Sequence, residues 1–217
     1  MKPKYLLSVI ILNCLLCPAI FPQANHRSFI NGNWESVTSK NGRRMMIKIK
    51  PDSSFIIQSV LSADYSYRII GDKMITKFKN ENSGKLIIDT MKIKIKKDTL
   101  ISIFNRNGKP EVTTMIRTPD NRVNKPEVAG NYTWIYPNGK TAFSKFTKNG
   151  LWLFRLPIQI IKGKYGISKN ILTFNYEYPD TTKDQKKFWL KGKLLILTDV
   201  KTGSQDMYKK VDYFLEK

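Results

Sequence analysis

From Met91 to Lys96 the chain reads Met-Lys-Ile-Lys-Ile-Lys. Strict alternation has one regular solution. Successive side chains of a β-strand leave opposite faces, so the lysines meet water while Met91, Ile93 and Ile95 meet a core. A helix would scatter the same lysines around its circumference. This two-residue period recurs along most of the chain. Turn residues interrupt it every 8 to 12 residues or so, the spacing of an all-β protein. Asn41-Gly42, Asn107-Gly108, Asn138-Gly139 and Asn149-Gly150 suit hairpins, because both residue types tolerate positive φ. The pattern predicts strands at 33–38, 45–50, 54–61, 64–70, 73–79, 85–96, 99–104 and 112–118 in the first half. In the second half it predicts 131–136, 140–147, 151–156, 161–167, 171–178, 186–191, 194–198 and 205–211.

The two halves resemble each other. Gly32-Asn33-Trp34 meets Gly130-Asn131-Tyr132 at a separation of 98 residues, and Tyr67-Arg68-Ile69 meets Tyr165-Gly166-Ile167 at the same 98. Met74-Ile75-Thr76 meets Ile171-Leu172-Thr173 at 97. Further deletions align Leu100-Ile101 with Leu194-Leu195 and Met115-Ile116-Arg117 with Met207-Tyr208-Lys209. Anchors in one order with slowly shrinking separation indicate a duplicated module. The division expected is a leader at 1–24, a first module at 25–118, a linker at 119–128 and a second module at 129–217. The linker, PDNRVNKPEV, is polar with two prolines, as suits a segment crossed by few contacts.

The leader combines Lys2 and Lys4 with the apolar run Tyr5 to Ile20, the layout of a secretory signal peptide. Asn13 and Pro18 interrupt the run, which is short for a bilayer span of roughly 20 apolar residues. The expectation is an exported protein, periplasmic or secreted, with no transmembrane span once the leader is gone. Both cysteines, Cys14 and Cys17, fall in the leader, so the mature chain would have no disulfide and would depend on a packed core. Acylation of Cys17 is the less favoured alternative, because Cys14-Leu15-Leu16 lacks the small residue normally found ahead of an acylated cysteine.

Eight short strands in hairpin order, opened by Gly-x-Trp and closed by a basic residue on the last strand, resemble the lipocalin-like (calycin-type) barrels, here as the compact domains of exported bacterial proteins. The resemblance covers nearly all of the mature chain. It implies an all-β fold of two tandem small antiparallel up-and-down barrels, about eight strands each. It further implies that the Trp of the first strand closes one end against a cation from the last. Carried over, Trp34 would lie against Arg117, and Tyr132 against Lys209. Gly32 and Gly130 would let the backbone bend at the start of each first strand. These six residues are structural candidates.

Little in the sequence suggests catalysis. The one histidine, His26, lies near the chain terminus of the mature protein, which disfavours triads and most zinc sites. Carboxylates are scattered. Glu177 and Asp180 flank a turn, and a pair formed only in three dimensions, such as Glu35 with Asp89, stays open. No cofactor is indicated. The formal charge of +21 favours anionic partners, although lysines on solvated strand faces account for most of it. Nucleic acid is not an expected partner outside the cell. Aromatics concentrate in the second half. Trp134 and Tyr136 share a strand face, as do Trp152 and Phe154, Tyr176 lies on another inward face, and Trp189 is adjacent to Phe188. A large-residue core explains them. A pocket for a small apolar or sugar-like ligand explains them too, with Trp134, Tyr136, Trp152, Phe154, Tyr176 and Trp189 as the candidate ligand-binding residues. The function expected is thus non-enzymatic binding by the second barrel. The alternative is a cell-envelope interaction or structural protein that meets an anionic glycan, a lipid surface or a protein partner through basic strand faces.

Overall fold

The structure, a computed structural model, describes residues 26–80, 83–106, 108–119, 127–136, 138–177 and 181–215. The leader, with Cys14 and Cys17, lies outside the described residues. A short helix, α1 (His26–Ile30), is followed by strands only. These are β1 (Gly32–Ser36), β2 (Arg43–Ile49), β3 (Ser54–Ile70), β4 (Lys73–Lys79), β5 (Leu86–Lys96), β6 (Thr99–Arg106) and β7 (Lys109–Arg117) in the first half. The second half supplies β8 (Gly130–Ile135), β9 (Thr141–Phe146), β10 (Leu151–Ser168), β11 (Ile171–Tyr176), β12 (Lys183–Lys191), β13 (Leu194–Asp199) and β14 (Gln205–Val211). The all-β antiparallel class read from the alternation holds. On β5 the lysines 92, 94 and 96 are exposed while Met91, Ile93 and Ile95 turn inward.

The arrangement of strands departs from two tandem barrels. The fourteen strands form one closed ring in which β1 pairs with β14, and β3 additionally pairs with β10. That extra ladder pinches the ring. On one side lie β1, β2, the first half of β3, the second half of β10, and β11 to β14; we call this the terminal lobe. On the other lie the second half of β3, β4 to β9, and the first half of β10, the central lobe. Each lobe is a circuit of eight strands that shares the β3–β10 ladder with its neighbour. Neither circuit matches one half of the sequence. The first three strands of each half close with the remaining strands of the other half.

The cause is local. Strands were expected to break between Leu61 and Asp64 and between Leu156 and Ile161. Leu61-Ser62-Ala63-Asp64 contains no glycine, asparagine or proline to reverse the chain, so β3 runs straight through. Its partner β10 does the same, absorbing Pro157 at a bulge where the register slips between Pro157 and Gln159. Two continuous strands carry the backbone from one lobe into the other. The linker shifts as well. Within 119–128, Val128 is 6% exposed and packs into the central lobe's core, so that end belongs to the fold; residues 120–126 lie outside the described ones.

Three apolar clusters follow from this plan. One fills the terminal lobe around Trp34, Phe55, Tyr165, Phe174 and Phe188. Phe55 meets Phe174 edge-on at 4.8 Å. A second lines the central lobe around Met74, Leu100, Met115, Tyr132 and Trp152. The third, Met46, Val60, Phe143, Leu153 and Tyr213, lies on the outer faces of β2, β3, β9 and β10 and forms the seam between lobes. Phe143 and Tyr213 stack there at 4.8 Å, so the residues after β14 cover the seam.

Candidate functional site

The two lobes are filled differently. Aromatic rings pack the terminal lobe, whereas the central lobe holds a cavity of about 630 Å³. A volume of that order suits a small ligand. Its aromatic lining comprises Tyr65, Phe104, Trp134, Tyr136, Trp152 and Phe154. Trp134 and Tyr136, two residues apart on one face at the end of β8, stack at 4.7 Å between centroids. Phe154 meets Trp134 edge-on at 5.9 Å. Trp152 stands between Tyr65, at 4.5 Å, and Phe146, at 5.1 Å, in a continuous stack. Offset and edge-on arrangements of this kind fix the rings as rigid walls.

Polar groups complete the lining. Thr76, Ser102 and Thr113 are buried, and the Ser102 and Thr113 hydroxyls hydrogen-bond each other. Asp89 and Glu111 line the cavity too; Asp89 is exposed and so marks where the cavity meets solvent. Burial, with Asp89 and then Tyr136 adding to it, pushes the Tyr65 hydroxyl above its ordinary pKa, and burial does the same for Tyr136. Both stay protonated donors at neutral pH. Trp152 is 8% exposed, and its buried Nε1 has no hydrogen-bond partner among the described residues. An indole N–H left without an acceptor costs stability.

No family model, curated protein or solved structure matches the chain.

Four of the six aromatics expected at a binding site, Trp134, Tyr136, Trp152 and Phe154, therefore share one cavity. The other two do not reach it. Tyr176 lies in the terminal lobe, 5.6 Å from the Phe55 ring, with its hydroxyl 3.4 Å from Asp184. Trp189 is 44% exposed on the outer face of β12, while Phe188 beside it is buried. The opposite wall of the cavity comes from the first half of the sequence, through Tyr65, Asp89, Ser102, Glu111 and Thr113. Reading the second half as a self-contained barrel hides those residues. The missing turn at 61–64 was the signal that could have revealed them.

The pairing of ring and cation is exchanged in the same way. Tyr132, expected against Lys209, lies under Arg117, whose guanidinium carbon is 4.8 Å from the ring centroid and whose Nη2 donates to the tyrosine hydroxyl at 2.7 Å. Trp34, expected against Arg117, instead has Lys210 Nζ at 5.4 Å from its ring and donates its Nε1 hydrogen to the Ile30 carbonyl at 2.7 Å. The last strand of each half covers the first strand of the other. The residue that matches Arg117 is Lys210, one place beyond Lys209, because Met115 and Tyr208 are the buried neighbours in register. Likewise Leu195, buried like Leu100, is its counterpart rather than Leu194. Gly130 earns its place by close approach: a Cβ there would come within 2.0 Å of Arg117 Nη1, at a φ of +149°. At Gly32 the corresponding clash is with the end of Lys210, at 2.9 Å.

Lys209 turns outward to the seam and reaches Glu35 at 3.3 Å. Glu35 is fully buried, and its partners are Arg155, the Tyr213 hydroxyl at 2.9 Å and Lys209. It does not pair with Asp89. Arg155 is also buried and holds Asp64 at 2.6 Å. Burial pushes the Glu35 carboxyl up, but Arg155, Lys209 and Tyr213 together outweigh it and hold the group below its ordinary range. The cluster spans β1, β3, β10, β14 and the residues that follow, and it is a structural tie. Among the described residues, no three His, Cys, Asp or Glu side chains gather as a metal site, and no helix is long and apolar enough to cross a membrane.

Proposed function

We propose that this protein is an exported, non-enzymatic binding protein whose central lobe holds a small ligand. The observation that carries the reading is the cavity of about 630 Å³, walled by four rigid aromatics from the second half. A barrel interior meant only as core would be filled, as the terminal lobe is. The buried carboxylate Glu35, the residue best placed for unusual acid–base chemistry, is tied up in the seam away from the cavity. That favours binding over catalysis. In this reading the two eight-strand circuits are an interleaved pair of lipocalin-like barrels, one packed shut as a scaffold and one left open as a carrier. Export follows from the leader's composition.

The alternative draws on the outer surface. Exposed lysines 92, 94 and 96 line one face of β5, which suits an anionic glycan or lipid surface. The tests differ in kind. Native mass spectrometry of the protein purified from an envelope fraction, compared with its denatured mass, should reveal a discrete mass lost on denaturation. Trp134→Ala should abolish it and Trp189→Ala should retain it. Equal native and denatured masses, joined with salt-sensitive binding to anionic vesicles, would favour the surface reading.

A further inference from the structure

The chain carries 38 lysines and arginines against 17 aspartates and glutamates. The cavity reverses that balance. Among the described residues, its lining contains Asp89 and Glu111 and no lysine or arginine. The contrast is sharp on β5, where Asp89 takes an inward position while lysines 92, 94 and 96 face out. Asp89's carboxylate also makes no ion pair among the described residues, in a protein where Asp64, Asp199 and Asp212 each have one.

Resting on the reading of the cavity as a ligand site, we propose that it takes a cation: a small molecule with a flat apolar body and a protonated amine or quaternary ammonium group. Two features converge on a positive charge. Aromatic faces carry negative potential and attract ammonium groups within about 6 Å of the ring. Phe104, Trp134, Tyr136 and Phe154 supply such rings around one space, beside Trp152, whose own faces are covered by Tyr65 and Phe146. Asp89 supplies a formal negative charge where the cavity meets solvent, beside the Tyr65 hydroxyl. A carboxylate ligand such as a fatty acid would meet the like charge of Asp89 and, among the described residues of the lining, no lysine or arginine. The protein's overall positive charge opposes a cation only weakly at the site, because exposed charges are screened beyond about 8 Å at physiological ionic strength.

The test uses three probes with one body and three charges: 1-naphthylmethylamine, 1-naphthylmethanol and 1-naphthoate, titrated calorimetrically into the full mature protein at neutral pH. The amine should bind at least about tenfold more tightly than the alcohol, and the naphthoate most weakly. In the double variant Asp89→Asn, Glu111→Gln, the amine should fall to about the alcohol's affinity. The alcohol's own affinity should be unchanged, which also reports that the variant is folded. Binding of all three with no preference for the amine, or a preference that survives in the double variant, would overturn the cationic assignment and leave the cavity as a ligand site. If none of the three bound, both the assignment and the cavity reading would fall.

Discussion

At the scale of single residues, the fold depends on a few places where one atom more or less decides. Gly130 lies against a guanidinium that also donates to the Ala129 carbonyl at 2.7 Å, so Arg117 has little freedom to retreat. Gly130→Ala should cost about 2–3 kcal/mol, from overpacking and a φ that alanine disfavours. Chemical denaturation measures it, and a loss below about 0.5 kcal/mol would show that Arg117 does give way. Trp34→Ala empties the terminal lobe's floor and should cost about 3–5 kcal/mol. Glu35 makes the molecule acid-sensitive. Its pKa is lowered on folding, so its contribution is complete above the unfolded value near 4.5 and is lost as the pH falls below it through the folded value. Stability should therefore drop below about pH 4.5 in the native protein. In Glu35→Gln that component of the acid loss should vanish, at a cost of about 3 kcal/mol at neutral pH from leaving Arg155 and Lys209 without their carboxylate. Thermal melts from pH 3 to 7 check both statements. The locking glycines and rings were legible in the sequence, since Gly-x-Trp and Gly-x-Tyr flag themselves. Their cations were not, because the reading of each half as its own barrel assigned Arg117 to Trp34, and only the path of β3 and β10 decides which ring it covers.

At the scale of elements, β10 does something that no periodic pattern announces. Before its bulge, even-numbered residues such as Trp152 and Phe154 face the central lobe. After it, odd-numbered residues such as Ile161 and Tyr165 face the terminal lobe. Ile158 is the extra residue, since Pro157 opposes Val60 and Gln159 opposes Ser59. The bulge absorbs it and keeps the inward positions of β10 in phase with β3, whose odd-numbered residues face both interiors without interruption. Deleting Ile158 would leave unbroken alternation in the same register with β3, with Leu156 and Gln159 inward on either side of Pro157, so Tyr165 should stay inward and the terminal lobe should still unfold cooperatively. Ile158→Ala, at a position 40% exposed, should stay within about 0.5 kcal/mol of the parent. Calorimetry of the two variants checks this, and loss of a cooperative melt in the deletion would contradict the role given to the bulge. Here the sequence misleads in an instructive way. A change of phase next to a proline reads as the end of one strand and the start of another, whereas a bulge satisfies both signals without ending the strand.

At the scale of the whole molecule, closure across the two halves makes the linker dispensable for cohesion. A protease site placed within 120–126 and cut after folding should leave two fragments that co-elute at the intact protein's volume. They should part only in denaturant, because the β1–β14, β3–β10 and β7–β8 ladders join residues from both. Separation into two smaller folded species would mean that each half closes on itself. Strand content was readable because alternation is a local property. Closure was not, because pairing within or between halves buries the same side chains; Tyr67 donates to the Thr147 carbonyl and Tyr165 to that of Lys50, contacts with equivalent chemistry in either arrangement. The interleaving also sets a timetable. During synthesis the central lobe has all its strands once Arg155 has emerged, but Trp34, made long before, waits for β14, the last strand of the chain, to complete its circuit. The molecule is built from its middle outward. Its oldest residues are among the last to leave water, and a chain cut short before β14 is left with an open sheet edge at β1.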